Sequence, residues 1–305
     1  MSQPLSIEDK TKTYFITTRT AGSKLWFAGK MNKDLENGIL ACLARYQQIH
    51  GVKILGFIIM GNHYHLIAQF PNANRAQFMR DFNSAIARLV GRYFEQHGRR
   101  SVWARRYSWQ ILPRNKDILH WFLYLVANPT SSGLIEDPLR YPGYNSFLKA
   151  PKDYYWIDYS KYCLAKRSKP DISLDEFKTK YTLTYSKLPG FEKQAKGVYE
   201  ASLKGKLTLH TDDIIAKRRS EGKSFMGIHK LLKQSPGQSP KTTKQGKRYS
   251  FRPIVLTLCK DTRKKILDAY FSIRDSFLAA SQLLRQGVHS AVFPSGTCKP
   301  SVFVT

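Results

Sequence analysis

The sequence predicts an α+β domain with the order β-α-β-β-α-β. Two observations carry that prediction. Four runs rich in β-branched and aromatic residues alternate, in that order, with two long runs whose apolar residues recur at helical spacing. Between the second and third strand-like runs stands Gly61-Asn62, the kind of pair that turns a hairpin.

Taken in order, TYFITTRT (13–20) reads as the first strand, followed by a Gly-containing loop. KDLENGILACLARYQQIHG (33–51) puts Leu35, Ile39, Leu40, Leu43 and Tyr46 on one helical face, and Gly51 is placed to close its C-terminus. VKILGFIIMG (52–61) reads as a buried strand and HYHLIAQF (63–70) as its hairpin partner. Residues 74–98 form a long amphipathic helix with Phe78, Phe82, Ile86, Leu89, Val90 and Tyr93 on its apolar face. SVWARRYSWQIL (101–112) is the expected fourth strand. KDILHWFLYLVANP (116–129) is a helix ended by Pro129, which disfavours a helical Asn128 and has no N–H to continue the ladder. This is the ferredoxin-like arrangement, an antiparallel sheet with the two crossover helices on one face and a further helix after the last strand. The other sheet face is expected to be free to meet a ligand.

After residue 150 the composition changes. Residues 151–170 are rich in Lys and Tyr and look like a linker, and 171–305 read as a basic, largely helical extension. Helical patches are expected near 174–181, 211–220, 224–233 and 260–287, and the Pro/Gly/Ser/Lys-rich stretch 234–250 reads as mobile.

The chain of 305 residues carries 50 Lys and Arg against 22 Asp and Glu, a formal charge of +28. That excess argues against an ordinary metabolic enzyme and for a polyanionic partner, nucleic acid before a membrane surface. Residues 201–250 alone carry twelve basic against three acidic residues, either a solvated face or a DNA contact. Cys42, Cys163, Cys259 and Cys298 have neither zinc-knuckle spacing nor a disulfide framework, which fits a reducing cytoplasm. The opening residues resemble no signal peptide, and no apolar run has the length of a membrane span.

Of eight histidines, His63 and His65 sit two apart in a strand. Strand side chains alternate faces, so the two imidazoles project together and Tyr64 points the other way. Such a pair is half of a metal site, although a bare His-x-His also decorates sheet faces. Two ligands leave positions open for a substrate oxygen. Imidazoles tolerate several transition metals, whereas Mg prefers oxygen. Neither a Cys-x-x-Cys nor a close set of carboxylates accompanies them. Tyr124 lies among Trp121, Phe122 and Leu125 on the short apolar helix, and by periodicity alone is a core aromatic. Asn128 is one turn after it on the same face and His120 one turn before.

MGNHYHL resembles the His-hydrophobic-His motif of the HUH endonucleases, in particular the single-tyrosine transposases. YFITTRT is similar to their opening strand, VWARRYSWQIL to the strand before the last helix, and YLVANPTSSGLIEDPLRYPGYNSF to a block found in REP-associated tyrosine transposases. The departures are Gly61 where a proline is commoner, the bulky Tyr64 between the histidines, and a loose match at Tyr144-Asn145-Ser146. The resemblance spans about 13–147 and makes 1–150 the catalytic domain; nothing is transferred beyond it.

It implies a DNA nicking and strand-transfer enzyme that acts on single-stranded DNA near hairpins. Tyr124 would be the nucleophile, forming a 5′-phosphotyrosine intermediate. A divalent metal, Mg or Mn, would be held by His63, His65 and Asn128, with His120 as the alternative third ligand. It also implies a bacterial, nucleoid-associated protein, monomeric rather than dimeric. Trp103, Arg105, Tyr107 and Trp109 would share one face of the fourth strand, offering stacking and phosphate contacts together, although aromatics so placed also build cores. Arg19, Lys24, Arg99, Arg100 and Arg106 are further candidates for DNA contact. The rival readings are a regulator on the same fold that binds DNA or RNA without turnover, and a metal-free RNA binder of the RRM kind. The latter would want aromatic pairs on the central strands, where GFIIMG supplies only Phe57.

Overall fold

The computed structural model describes residues 4–28, 33–94, 98, 100–240 and 252–300. Its main sheet has the order β2-β3-β1-β4-β7, with β1 (Thr13–Arg19) and β3 (His63–Gln69) in the middle. β2 (Lys53–Met60) and β4 (Ser108–Leu112) flank them, and every pairing among these four is antiparallel. The helices α1 (Lys33–His50) and α2 (Arg75–Tyr93) follow β1 and β3 and cover one face. Here the core is aromatic: Phe57, Tyr64, Phe78 and Phe82 are almost fully buried and in ring contact. Gly51 closes α1 at φ 64°, a left-handed conformation that glycine adopts without a Cβ clash. Gly61-Asn62 joins β2 to β3 as expected. The α+β, ferredoxin-like expectation is met.

The second sheet face is not open. α3 (Asn115–Val126) lies across it, burying Phe122 and Leu125 against Phe15, Ile58 and Ile67. Behind it packs α6 (Lys196–Ser220), whose buried Leu203 and Leu207 join the same core. The apolar side of α3 requires this burial, and the sheet residues beneath it are apolar to match. The seat of α3 is tight. A Cβ added to Gly56 would stand 3.1 Å from two ring carbons of Phe122. Gly56→Ala is therefore expected to destabilise the fold by about 1–3 kcal/mol, the range of overpacked cores. The measurement is a urea unfolding curve; an unchanged midpoint would contradict this packing.

α3 ends at Val126, and a short helix α4 (Asn128–Ser131) begins at once, with Pro129 in its first turn. The following segment ties α3 to β2. Asn145 Nδ2 donates to the carbonyl of Val126 at 3.2 Å, satisfying an end-of-helix acceptor. Its neighbours bond along the edge of β2: Ile59 N to Tyr144 O, Ser146 N to Phe57 O, and Phe57 N to Ser146 Oγ, all at 2.8–2.9 Å.

The extension departs from the sequence reading in three places. Residues 151–170 are no linker: β5 (Lys152–Ile157) pairs with β6 (Lys178–Leu183), and α5 (Tyr159–Ser168) lies between them. The β-favouring run Tyr154-Tyr155-Trp156-Ile157 makes β5 a strand, and the β5–β6 pair packs on α1, with Arg45 over the Trp156 ring at 3.9 Å. The patch at 174–181 is helical only in its first half, a 3-10 turn over Leu174–Phe177, and passes into β6 at Lys178. The extension also joins the main sheet, since β7 (Ile254–Val255) pairs parallel with β4. The expected helices are present as α6, α7 (Ile228–Leu232) and α8 (Lys260–Arg285). Most of the stretch expected to be mobile, 241–250, lies outside the described residues. Among the described residues, no helix is long and apolar enough to cross a membrane.

Candidate active site

His63 and His65 face α3. The β1–β3 register sets Thr17 opposite His65 and Arg19 opposite His63, so these side chains share that face. The two imidazole centroids are 4.8 Å apart and the rings nearly perpendicular. Each ring is oriented through Nδ1. His63 Nδ1 lies 2.7 Å from Asn62 Oδ1, an acceptor, so Nδ1 carries the proton and Nε2 the lone pair. His65 Nδ1 lies 2.8 Å from Thr17 Oγ1, and Asn128 Nδ2 donates to His65 Nε2 at 3.3 Å. The same tautomer follows for His65, assigned from its partners.

Burial is the main force on both rings. It pushes His65 from 6.5 down to about 3, with Arg19 assisting. His63 is lowered well below 6.5 by burial, then by His65 and Arg19. Both imidazoles are thus neutral at pH 7, the state that ligates a metal. The shift has a consequence for stability. An unfolded His65 takes up its proton near 6.5 and a folded one near 3, so the unfolded state binds the proton first. In chelator, unfolding free energy is therefore expected to fall by up to about 1.4 kcal/mol per pH unit as pH drops below about 6.5. Urea titrations at pH 7 and pH 5 on wild type and His65→Gln test this; an equal pH dependence in both would refute it.

Tyr124 and Asn128 complete the cluster. Phe15 touches both halves, 5.1 Å from the His65 ring and 6.2 Å from the Tyr124 ring. Burial raises the pKa of the Tyr124 hydroxyl, and the neighbouring Asn128 amide opposes that rise. Asn128 is buried and hydrogen-bonded to His65, one turn of helix from Tyr124. The break between α3 and α4 makes this possible, because it turns Asn128 out of the α3 ladder while leaving it one turn below Tyr124.

The donor set suits a divalent cation. Two imidazoles have Nε2 lone pairs available and Nδ1 groups tied down, the usual support for a ligating histidine. The Asn128 amide is a hard third donor, since an amide turned end for end presents Oδ1 where Nδ2 stands. Mixed nitrogen and oxygen donors fit Mn more naturally than Mg. Among the described residues, no group of three or more His, Cys, Asp or Glu is placed to hold a metal ion. His120 stands elsewhere, 6.1 Å ring to ring from His210 of α6.

The residues expected to contact DNA divide. Arg19 sits beside His63, and its pKa is lowered by burial and then by Arg105. Arg100, Arg105 and Arg106 are exposed on the connection before β4. Lys24 is half-buried, 5.9 Å from the Trp26 ring. Arg99 lies outside the described residues. Trp103 and Tyr107 form no stacking platform. Residues 101–107 are not a strand beyond one bridge of Trp103 to Thr20, so the expected alternation does not hold there. Trp103 turns into the α2-side core, 5.9 Å from Tyr64, and donates Nε1–H to Asn83 O at 2.9 Å. Tyr107 is buried in the same core. Sequence reasoning missed Thr17 as the partner of His65 and saw Asn62 only as a turn residue. Thr17 was hidden because strand register is not readable from one strand.

Residues 17–119 match the sequence profile of the family "Transposase IS200 like". No curated protein matches the chain. Among solved structures, a REP-associated tyrosine transposase bound to a REP hairpin aligns at 14% identity, covering 57% of this chain and 90% of its own, with a TM-score of 0.40. A provisionally assigned transposase from Deinococcus radiodurans R1 aligns at 16% identity over 32% of this chain and 77% of its own, with a TM-score of 0.27. At those TM-scores the superpositions carry no argument.

Proposed function

We infer, from the match of residues 17–119 to the IS200-like transposase family, that this chain is a transposase acting on single-stranded DNA through Tyr124. The matched stretch includes His63 and His65 and ends before Tyr124. The observation that carries the reading is Asn128, buried, hydrogen-bonded to His65 Nε2 at 3.3 Å and one helical turn from Tyr124, whose hydroxyl pKa it lowers. It joins a hydroxyl nucleophile to a pair of neutral imidazoles on one buried face.

The Tyr124 hydroxyl attacks the scissile phosphorus. The P–O3′ bond breaks, the leaving strand takes a proton as its 3′-OH, and the 5′ end stays as a phosphotyrosine ester. Attack by a 3′-OH on that ester rejoins DNA and restores Tyr124, with no nucleotide triphosphate consumed. A phenol with a raised pKa is a poor nucleophile at pH 7. His63, His65 and Asn128 are the residues to hold a divalent cation, Mg or Mn, which when bound polarises the phosphate and favours the phenolate. Arg19 supplies positive charge beside them, and Asn128 orients the Tyr124 hydroxyl. The net charge of +28 suits a polyanionic strand. A hairpin-bearing substrate and a monomeric enzyme complete the proposal.

The test is cleavage of labelled single-stranded hairpin DNA taken from the flanks of the host gene. Wild type is run with Mn, with Mg and with EDTA, and a covalent protein–DNA band is sought on a denaturing gel. A metal-dependent band is expected. Binding without cleavage on every flank would instead favour a regulator that binds without turnover.

A further inference from the structure

A cavity of about 920 Å³ lies between the first half of α3, β7 and the start of α8. Its size is within the roughly 300–1,000 Å³ usual for sites that take small organic groups. Trp121 lines it, and the Trp121 ring is 5.0 Å from that of Tyr124. One indole therefore stands between the cavity and the proposed nucleophile. Arg114, Lys116, Arg252 and Arg263 line it against a single carboxylate, Asp117. Arg114 holds that carboxylate with two hydrogen bonds of 2.7 and 2.8 Å, and cations outnumber carboxylates four to one in the lining. The apolar lining includes Ile254, 47% exposed, and Leu258, 94% exposed. Cations set among an aromatic ring and exposed apolar side chains are what a single strand needs: phosphate on one, base on the other. β7 and α8 belong to the extension, outside the family-matched stretch.

We propose that this cavity receives one nucleotide unit of the DNA strand that runs to Tyr124. Its base lies against Trp121 and Leu258, and its phosphate against Lys116 and Arg252. The extension is then part of substrate binding. The proposal rests on the reading of Tyr124 as the nucleophile of a single-stranded DNA enzyme.

The test is fluorescence anisotropy with a labelled oligothymidylate in EDTA, where cleavage does not intervene. The full-length wild type is compared with Lys116→Glu/Arg252→Glu and with Lys166→Glu/Arg167→Glu, an equal charge change at exposed positions of α5. The cavity variant is expected to bind roughly tenfold more weakly, with a salt slope smaller by about 0.7, the share of the one phosphate it no longer neutralises. The α5 variant should stay near wild type. Leu258→Asp gives a readout independent of cation removal, and weakening there as well supports a seated base. A wild type that binds no single-stranded DNA would overturn both this proposal and the function it rests on. Equal weakening in the cavity and α5 variants, or none in either, would overturn the cavity alone. Direct binding of labelled thymidine monophosphate, lost in the cavity variant while oligonucleotide affinity stays, would make it a free-nucleotide site and also overturn the proposal.

Discussion

Tyr124→Phe is expected to abolish the covalent protein–DNA band and to lower strand cleavage by roughly 10³-fold or more, the scale on which removal of a nucleophile acts. The variant deletes one oxygen and keeps the ring. Its contacts with Trp121 and Phe15 at 5.0 and 6.2 Å therefore remain. DNA affinity is expected to be unchanged, because the phosphate is held by cations rather than by the phenol. The loss should thus fall on the chemical step alone. Metal-dependent cleavage that survives the substitution would move the nucleophile to another tyrosine or to water.

The second large effect is expected from His63→Ala/His65→Ala. Changing only the groups that support a ligating histidine costs roughly 10–100-fold in affinity or activity, so removing both imidazoles should exceed ~10²-fold. The direct measurement is Mn binding by calorimetry, alongside cleavage. Both should be lost together. Asn62→Ala should reach the smaller figure, because it leaves both imidazoles and removes only the acceptor at His63 Nδ1. Mn binding that persists in the double variant would place the metal elsewhere. Loss of cleavage with Mn affinity intact would give the histidines a role in substrate binding instead.

The split between sequence and tertiary structure can be followed residue by residue. The strand and helix order as far as 126 was legible because periods of 2.0 and 3.6 are local properties of the side-chain pattern. So were the Gly51 cap and the Gly61-Asn62 turn. The strand expected over 101–112 was too long, since Trp103 and Tyr107 fit an amphipathic strand as well as they fit a core. What separates the two is the aromatic cluster around Tyr64 and Phe82, which lies on other elements. The linker reading of 151–170 failed for a related reason. Aromatics beside Lys and Asp suit a half-exposed strand as well as a linker, and the partner strand and the surface of α1 that decide between them lie elsewhere in the chain. The open sheet face failed because an apolar helix states that it must be buried without stating against what.

By itself, the sequence determined a basic α+β chain with two imidazoles on one strand face and a tyrosine and an amide one helical turn apart. Those are consequences of composition and of fixed backbone periods. Only the tertiary structure decided that they meet. Antiparallel register brings Thr17 and Arg19 beside the histidines, and the capped, broken end of α3 sets Asn128 between Tyr124 and His65. Register and helix docking come from pairing and packing between distant segments, and one strand or one helix taken alone does not specify them.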